Sequence, residues 1–368
     1  MSPFEVVVVG GGIMGASTAW ALAARGHDVV LLERFAVVHH RGSSHAETRI
    51  FRLGYDEADY IHLGQQALPG WRRLEQETGA DLLRLTGALD HGPAVTIDAL
   101  AAAMNAQGVP HRRVEPLEAA RAWPAMAFDE AVLVHPDGGM VFAERSVVAA
   151  HEAARRHGAT IRTGSAVVGI EVDGAGAVLL LDGGERISAS QVVVTAGAWA
   201  GTLLGGLVDL PSLQVSAEQP MYFRRRDGIA PLPAFIHRGR EDIYGLDSPA
   251  RGTKVAEHYR DEWLDPDDRP FDADPATAAR TSDYVRRWMP GLDPEPIGFD
   301  RCLYTTTSTK DFVLDRVGPI TVGAGFSGHG FKFAPAVGEV LADLVEGATQ
   351  PTARFSLSAA RADRRSPR

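Results

Sequence analysis

The sequence predicts an α/β fold in which a parallel sheet, assembled from separated parts of the chain, is interrupted by an α+β domain with a mixed sheet. Three observations lead to this prediction. The chain begins with an apolar strand pattern, a glycine-rich turn and a helix pattern over residues 6–25, and it ends with the same order over residues 320–347. Between them, residues 215–298 combine mixed strand patterns with many charges and several prolines. Because 368 residues exceed what one hydrophobic core usually holds, two domains are expected.

The first segment has the pattern of a βαβ unit. Residues 6–9 are four consecutive valines, which suits a strand buried on both faces of a parallel sheet. A helix rich in Ala and Leu follows over residues 16–25, and a second apolar strand over residues 29–32 runs into Glu33. An acidic residue therefore stands after the second strand, where a dinucleotide-binding unit requires one.

The turn of this unit satisfies G-x-G-x-x-G at Gly10, Gly12 and Gly15. Gly10 allows the tight turn, Gly12 lets the backbone approach a pyrophosphate, and Gly15 lets helix and strand pack closely. The helix N-terminus offers N–H groups and a positive dipole end to phosphates. Glu33, 18 residues after Gly15, can accept hydrogen bonds from a ribose. The segment therefore predicts nucleotide binding.

Composition excludes several classes of protein. Hydrophobic residues make up 45% of the chain and charged residues 23%, as in an ordinary globular protein, and the net charge of −10 argues against a nucleic-acid partner. No stretch is apolar and long enough to span a membrane, and the acidic start argues against a signal peptide. A cytoplasmic location is the default expectation. The single cysteine, Cys302, excludes an internal disulfide, and a lone cysteine is commonly a small buried hydrophobe.

Residues 37–52 are dense in polar donors and follow the nucleotide-binding strand directly. Arg49 and Arg52 are three positions apart, so on a helix both would face one site. A solvated turn with ordinary ion pairs is the alternative. The position beside the predicted cofactor favours a functional role.

The central elements follow from periodicity and from turn residues. Helices are predicted over residues 60–78, 97–107 (with Thr96 as N-cap), 116–123 and 145–157. Strands are predicted at residues 82–89, 131–134, 160–162, 167–172, 177–181, 186–188, 191–199 and, further along, 242–244. The three strands from 167 to 188 are separated by Asp/Gly turns and predict a small antiparallel meander.

A second glycine-rich junction lies near the end of the chain. A short strand at residues 320–322 enters residues 323–333, which contain Lys332, and a helix follows over residues 335–347. Free N–H groups, a helix N-terminus and an ammonium suit an anion or an electron-rich ring. A turn that merely needs flexible glycines is the alternative.

At this point the sequence resembles the monomeric sarcosine oxidases and N-methyl amino acid oxidases of the D-amino-acid-oxidase superfamily of flavoproteins. The segments that carry the resemblance are residues 10–15 with Glu33, 42–52, 302–305 and 325–333. The resemblance implies FAD rather than NAD, bound in a split Rossmann-type domain. It implies that residues 1–85, 140–214 and 299–368 form the FAD-binding domain, and that residues 86–139 and 215–298 form a substrate domain with a mixed β-sheet.

The resemblance also implies roles for individual residues. Cys302 would form a thioether to the 8α-methyl carbon of the flavin, which requires a thiolate near an electron-poor ring edge. His45 and Arg49 would lie near the ring and assist flavinylation and oxidation. Arg52 and Lys332 would clamp the substrate carboxylate, a task suited to a guanidinium fork and an ammonium.

Lys254 and His258 match a Lys-x-x-x-His pattern of the family. Lys254 would place positive charge where O2 becomes reduced, over the opposite face of the flavin. Tyr244 and Tyr304 would line the amine pocket. For Lys254 and Tyr244, an ordinary surface or core position is the alternative. The predicted cofactor-binding residues are Gly10, Gly12, Ile13, Met14, Gly15, Glu33, Arg34, Ser43, Arg49, Cys302, Gly325, Gly328, Gly330 and Lys332.

The chain departs from the family pattern at three places. Ser44 precedes His45 where His-His is common, Leu246 and Asp247 follow Tyr244-Gly245 where an aromatic residue and Pro are frequent, and Glu257 precedes His258. The last two departures fall in the predicted substrate domain. The accepted amine substituent is therefore expected to differ from the methyl group of sarcosine.

The implied activity is oxidation of the C–N bond of a small, N-substituted α-amino acid, with hydride transfer to flavin N5, hydrolysis of the imine and reduction of O2 to H2O2. An FAD-dependent dehydrogenase with another electron acceptor and a biosynthetic imino acid oxidase remain open. An NAD-dependent dehydrogenase would leave the second glycine-rich junction and Cys302 without a task, and a non-catalytic FAD-binding module would leave the carboxylate clamp without one. The expected partners are the amino acid and O2, without a metal, a nucleic acid or a membrane, and the family implies a monomer.

Overall fold

A computed structural model describes residues 4–174, 176–258 and 262–359. The α-helices of these residues are α1 Ile13–Ala24, α2 Ala58–Thr78, α3 Ala94–Ala106, α4 Pro116–Ala122, α5 Ala143–Arg156, α6 Ala200–Leu204, α7 Pro275–Trp288 and α8 Ala334–Glu346. The strands are β1 Phe4–Val9, β2 Val29–Leu32, β3 Thr48–Phe51, β4 Leu83–Arg84, β5 Ala88–Gly92, β6 Arg112–Val114, β7 Ala131–His135, β8 Gly139–Phe142, β9 Thr160–Arg162, β10 Val167–Asp173, β11 Gly176–Leu181, β12 Arg186–Val194, β13 Gln214–Glu218, β14 Met221–Arg225, β15 Ala234–His237, β16 Ile243–Ser248, β17 Gly252–Glu257, β18 Leu292–Phe299, β19 Cys302–Thr306, β20 Val313–Val317 and β21 Ile320–Ala324. None of these helices is long and apolar enough to cross a membrane.

The first large sheet contains the N-terminal βαβ unit. Its strands follow the order β10-β11-β12-β1-β2-β9, and β21 pairs with β12 and with β20. Strands β9, β2, β1, β12 and β21 run parallel, so the sequence-based prediction of a parallel sheet from separated segments is confirmed. The four valines of β1 are buried on both faces, as the unbroken apolar run predicts.

The predicted meander is longer than the sequence suggested. Residues 186–188 and 191–199 are predicted as separate strands. Residues 186–194 instead form the single strand β12, and residues 197–199 form a 3-10 helix. The first half of β12 pairs antiparallel with β11, whereas its second half pairs parallel with β21. Because one edge of β12 pairs with β11 in its first half and with β21 in its second half, the residue pattern changes within the strand. This change explains why the sequence predicted two strands.

The second large sheet has the order β18-β14-β17-β16-β15-β5-β7-β6. One face of it packs on helices α4 and α7 through a core that includes Leu89, Phe235, Val255 and Trp288. Successive side chains of a strand point to opposite faces. The alternate residues of β15, β16 and β17 therefore face the other way, toward the first sheet.

Arg49 lies on strand β3, because residues 48–51 pair with β8, so the helix considered for Arg49 and Arg52 is absent there. Two other local predictions are wrong. Residues 82–89 form two strands, β4 and β5, separated near Gly87, whose φ of +79° breaks the extended backbone. Helix α3 begins earlier than predicted, with Pro93 rather than Thr96 at its N-cap.

Candidate active site

A cavity of about 470 Å³ lies between the two large sheets. It is lined by both glycine-rich junctions, by the segment after β2, by β3 and by alternate residues of β15, β16 and β17. The lining changes along its length from backbone and small side chains to arginine, lysine and tyrosine.

The first junction is built as the glycine pattern predicts. Gly10 has φ +100°, and a Cβ there would lie 2.7 Å from the carbonyl oxygen of Thr195. A Cβ on Gly15 would lie 1.8 Å from the carbonyl oxygen of Gly10, so Gly15 serves helix packing and does not line the cavity. Gly12 is the N-cap of α1 and makes no side-chain cap hydrogen bond. The N–H of Ile13 donates to Ser44 Oγ at 3.1 Å, so the serine that departs from the family pattern supports this turn.

Glu33 marks the adenosine end of the predicted site. Its carboxylate is buried and accepts hydrogen bonds from the N–H of Gly11 at 2.6 Å and from the N–H of Phe35 at 2.7 Å. Each carboxylate oxygen keeps acceptor capacity for a ribose hydroxyl. At the rim, Asp267 accepts hydrogen bonds from Arg34 Nη1 at 2.9 Å and from Trp199 Nε1 at 3.1 Å. This end can hold a nucleoside between a carboxylate and aromatic side chains.

The second junction brings a backbone against an aromatic ring. Gly328 has φ +73°, and a Cβ there would lie 2.2 Å from a ring carbon of Tyr304. A Cβ on Gly330 would lie 2.7 Å from Phe326 Cβ and 2.9 Å from Met14 Cε. These close approaches require glycine. They join the last junction to the first one and to β19.

Cys302 lies on the cavity wall between these two junctions. Its thiol is buried, and burial raises the pKa of the thiol while the nearby Arg49 opposes this rise. Arg49 itself is held by its backbone neighbours: Nη2 donates to the carbonyl of Ser43 at 2.8 Å, and Nη1 donates to the carbonyl of Thr48 at 3.0 Å. Ser43 Oγ donates to the carbonyl of Leu303. The guanidinium therefore lies fixed within electrostatic range of the thiol.

Arg52 and Lys332 lie together at the far end of the cavity. Lys332 Nζ donates to Tyr55 Oη at 2.9 Å and to the carbonyl of His329 at 2.5 Å. Burial, and then the charge of Arg52, hold the pKa of Lys332 well below its usual range. The Arg52 guanidinium lies over the Tyr55 ring at 4.0 Å, and within the described ranges its buried Nη1 has no hydrogen-bond partner. A carboxylate would satisfy Nη1 and would favour the charged form of Lys332.

Two tyrosines and a histidine complete this end. The hydroxyls of Tyr244 and Tyr304 are hydrogen-bonded to each other. The ring of His258 lies 5.1 Å from that of Tyr244 and 5.9 Å from that of Tyr304. Burial and the surrounding cations lower the pKa of His258 to about 3, so its imidazole is neutral at pH 7.

Lys254 enters the cavity from β17. Its Nζ donates to the carbonyl of Thr48 at 2.7 Å. Burial, and then the charge of Arg49, lower the pKa of Lys254 to about 7. A group that exchanges a proton near neutral pH is therefore buried on the cavity wall.

The structure brings most of the predicted site residues to this one cavity. Those that line it are Gly10, Gly12, Ile13, Met14, Glu33, Arg34, Ser43, Arg49, Arg52, Tyr244, Lys254, His258, Cys302, Tyr304, Gly325, Gly328, Gly330 and Lys332. Gly15 and His45 do not line it. His45 is 2% exposed, packs on His40 with ring centroids 5.1 Å apart, and has no hydrogen-bond partner on either ring nitrogen among the described residues. Burial lowers the pKa of His45 to about 3.

Of the departures from the family pattern in the second sheet, one lines the cavity and the other two form ion pairs away from it. Leu246 lines the cavity, so the departure there changes the space that a ligand meets. Asp247 instead accepts a hydrogen bond from Thr253 and pairs with Arg225 at 3.1 Å. Glu257 pairs with Arg280 of α7 at 2.7 Å.

Sequence reasoning missed Trp199, Asp267, Tyr55 and His329, which lie at the two ends of the cavity. Lysine usage was a signal that strengthens two other assignments. Lysines and arginines number 37 in the chain, and three of them, Lys254, Lys310 and Lys332, are lysines. Lys254 and Lys332 are buried on the cavity wall. Lysine is the basic residue whose charge responds most readily to burial, so these two side chains can change charge when the cavity is filled.

A dinucleotide turn, a buried acid after β2, a second glycine-rich junction and a cationic end in one cavity define a nucleotide-dependent oxidoreductase with an α/β fold. Within the described ranges, no three His, Cys, Asp or Glu side chains cluster as a metal site. The family model of the FAD dependent oxidoreductases matches residues 5–344. The chain therefore belongs to this family of FAD-dependent enzymes.

Similar proteins place the chain more narrowly. It is 33% identical to the peroxisomal sarcosine oxidase of Homo sapiens over 365 residues, covering 93% of this chain and 92% of that protein. It is 32% identical to the monomeric sarcosine oxidase of Bacillus sp. (strain NS-129) over 359 residues, with the same two coverages. The structure of NikD, an unusual amino acid oxidase essential for nikkomycin biosynthesis, is similar with a TM-score of 0.86 and 26% identity, covering 97% of this chain and 98% of that chain.

Proposed function

We propose that the protein oxidises the C–N bond of a small, N-substituted α-amino acid. The observation that carries the proposal is the cationic pair of Arg52 and Lys332, which lies in the cavity with the two glycine-rich junctions. The family supplies FAD, and bound FAD would accept the hydride equivalent removed from the substrate. The relatives at 32–33% identity, named as sarcosine oxidases, support this class of substrate.

Binding of the carboxylate orients the substrate. Arg52 Nη1 and Lys332 Nζ present donors from two sides, and Tyr55 holds both cations by its ring and its hydroxyl. Two cations at fixed positions determine which substrate C–H bond approaches the cofactor. The substrate amine would then lie toward Tyr244 and Tyr304, whose hydroxyls can accept or donate a hydrogen bond.

The amine must be neutral when it reacts, and the site favours this form. The positive charge of Arg52, and that of Lys332 once a carboxylate is bound beside it, disfavour an ammonium ion at this end of the cavity. His258 is neutral at pH 7 because burial lowers its pKa to about 3. No strong base is therefore needed beyond loss of the ammonium proton as the substrate leaves water.

Lys254 is proposed to promote reduction of O2 to H2O2. Positive charge stabilises the negative charge that develops on O2, and a buried site strengthens this interaction. The hydrogen bond to the carbonyl of Thr48 holds the ammonium at the cavity wall. The imine product would leave and hydrolyse in water.

Cys302 is proposed to bind FAD covalently through the 8α-methyl carbon. Its buried position on the cavity wall and the fixed guanidinium of Arg49 support this assignment. In acid-denatured protein, we expect the yellow chromophore to remain with the polypeptide and to be released from Cys302→Ala. Release of the chromophore from the parent protein would leave Cys302 as a core residue and FAD non-covalently bound.

We also propose the division of the chain that the family pattern implies. Residues 1–85, 140–214 and 299–368 would bind FAD, and residues 86–139 and 215–298 would cover the substrate. The two large sheets support this division, because they are formed by different sets of strands. The monomeric sarcosine oxidase similarity supports a monomer.

The proposed function is tested by anaerobic reduction. The purified holoenzyme is mixed without O2 with N-methyl, cyclic and primary α-amino acids, and the absorbance of oxidised flavin is followed. We expect bleaching by N-substituted amino acids and formation of H2O2 when air is admitted. Bleaching without reaction with O2 would identify a dehydrogenase, and bleaching by cyclic substrates alone would identify an imino acid oxidase. If no amino acid bleaches the flavin, the proposal is wrong.

A further inference from the structure

An aspartate, Asp300, lies near Lys254, with the ring of Tyr222 between them. Tyr222 of β14 lies directly opposite Lys254 of β17 in their antiparallel pair, so both side chains point to the same face. Lys254 Nζ is 5.5 Å from the centroid of the Tyr222 ring. The hydroxyl of Tyr222 donates to Asp300 Oδ2 at 2.5 Å. The ring of Tyr222 therefore connects the ammonium on one side to a carboxylate on the other.

Arg251 fixes the other oxygen of that carboxylate. Its Nη1 donates to Asp300 Oδ1 at 2.6 Å, and its Nη2 donates to the carbonyl of Phe299. The guanidinium also stacks 3.9 Å from the centroid of the Tyr222 ring. Only 11% of the Asp300 side chain is exposed. Both hydrogen bonds favour the charged carboxylate, and they hold the pKa of Asp300 below its usual range against the effect of burial.

The charges around Lys254 compete. Arg49 on β3 and Arg251, just before β17, disfavour the ammonium, whereas Asp300, which follows β18, and the thiol of Cys302 on β19 favour it. Tyr222 and the carbonyl of Thr48 are the neutral polar groups that face it. Of these favourable groups, Asp300 is the one that is ionised at neutral pH, because burial raises the pKa of the thiol.

We propose that Asp300, fixed by Tyr222 and Arg251, is a positioning residue that keeps Lys254 in its ammonium form and so sets the pH range in which the reduced enzyme reacts with O2. The inference rests on the proposed oxidase function and goes beyond it by assigning a control on Lys254. In the reaction, O2 takes up two electrons from the reduced cofactor and two protons to become H2O2. Lys254 supplies positive charge throughout and is not consumed.

The small number of lysines allows a direct measurement. Holoenzyme labelled with ¹³C-lysine has three lysines, and the variant Lys254→Met identifies the Lys254 signal. Titration of its chemical shift gives the pKa of Lys254. In Asp300→Asn we expect this pKa to fall by about one unit, as for loss of an opposite charge near a buried group. Tyr222→Phe, which keeps the carboxylate but removes one of its hydrogen bonds, is expected to shift the pKa in the same direction by less.

Asp247→Asn is the matched control. Asp247 is also buried, pairs with an arginine and accepts a hydrogen bond from a hydroxyl. It accepts a hydrogen bond from Thr253, which precedes Lys254 in β17. Because successive side chains of a strand alternate, the side chains of Thr253 and Lys254 point to opposite faces. Replacement of Asp247 should leave the Lys254 titration unchanged. An equal shift in both variants, or no shift in Asp300→Asn and Tyr222→Phe, would overturn the proposal.

A kinetic measurement links the titration to O2. Enzyme reduced by dithionite, without any amino acid, is mixed with O2 between pH 5.5 and 9. The rate of reoxidation should decline with rising pH as Lys254 loses its proton, and this decline should begin about one unit lower in Asp300→Asn. If Lys254→Met is reoxidised as fast as the parent, the proposed role of Lys254 fails, whereas the titration still decides whether Asp300 controls its charge.

Discussion

The glycines of the first junction make room for different neighbours. Gly10 needs its positive φ, whereas Gly15 needs the space that a Cβ would take from the carbonyl of Gly10. Gly12 has Ser44 Oγ at 3.0 Å from its ideal Cβ position and otherwise faces the cavity. At the scale of the residue, the three glycines of one motif therefore meet three different needs: a positive φ, close packing of the helix, and access to the cavity.

Gly15→Ala is expected to lose bound FAD and to destabilise the fold. The added Cβ would lie 1.8 Å from the carbonyl oxygen of Gly10 and 2.6 Å from Thr195 Oγ1, so α1 must move away from β1. We expect a loss of about 1–3 kcal/mol in the free energy of unfolding, as for overpacked cores. The measurement is urea denaturation together with the ratio of flavin to protein absorbance.

The control is Gly201→Ala in α6, where the nearest atom to an added Cβ is 3.9 Å away. This change should be neutral or slightly stabilising because Ala favours the helix. Normal FAD content in Gly15→Ala would contradict the packing role of Gly15.

Residue types predicted this site better than their local structure did. Glu33 and the three motif glycines could be placed because their spacing encodes a turn with known geometry. Arg49 could not, since three-residue spacing does not distinguish a helix from a strand that pairs with a distant segment. His45 is buried beside the site rather than on its wall, and nothing in the sequence distinguishes these two positions.

At the scale of elements, helices α1 and α7 begin in different ways. The N-cap of α1 is Gly12, which has no side chain to cap the helix, and the N–H of Ile13 donates to Ser44 Oγ, so the N–H groups that follow Ile13 in the first turn can serve a phosphate. The N-cap of α7 is Asp274, whose carboxylate accepts from the N–H groups of Ala276 and Thr277. The helix with an open end faces the cavity, and the helix with a capped end supports the second sheet from outside.

Asp274→Ala should therefore destabilise the protein without releasing FAD. Loss of an N-cap side chain costs about 1–2 kcal/mol. Thermal unfolding and urea denaturation measure the loss, and flavin content checks that the site is intact. Asp274→Asn, which keeps a capping oxygen, should retain most of the stability. A parent-like stability of Asp274→Ala would show that α7 does not depend on its cap.

Elements were predictable where one pattern covered the whole element. The valines of β1 and the apolar face of α2 belong to this group. Strand β12 was divided wrongly because its two halves have different partners, and α3 was given the wrong start because Pro93 begins the helix one turn before Thr96. Local periodicity in the sequence carries no information about which distant segments pair with each other.

At the scale of the whole molecule, two sheets with different partners enclose one cavity. Five buried histidines have lowered pKa values, namely His45, His91, His135, His151 and His237, and the half-buried His258 and His329 have lowered pKa values as well. Burial is the largest cause at each of them. Some of these histidines belong to the cavity and others to the second sheet, so the whole fold carries buried neutral imidazoles.

Acid is therefore expected to destabilise the protein between pH 7.5 and 5.5. A histidine whose pKa is lower in the folded state binds a proton more readily when unfolded, so stability is lost as pH falls below the unfolded value of about 6.5. For His135, whose pKa falls to about 4, the loss reaches about 1.4 kcal/mol at pH 5.5. His27 acts in the opposite direction, because Glu346 and Glu5 raise its pKa.

His91→Phe tests this origin directly. His91 lies 4.0 Å from the ring of His237 and 5.2 Å from that of Phe128, and in the described structure neither of its ring nitrogens has a hydrogen-bond partner. Phe fits this aromatic cluster and cannot be protonated. The free energy of unfolding, measured with urea at pH 7.5 and 5.5, should fall less in the variant than in the parent, because burial holds the pKa of His91 well below its usual range. His62→Gln, at an exposed position of α2, should keep the parent difference. An unchanged difference in His91→Phe would show that His91 can be protonated within the fold, and the acid sensitivity would then arise elsewhere in the molecule.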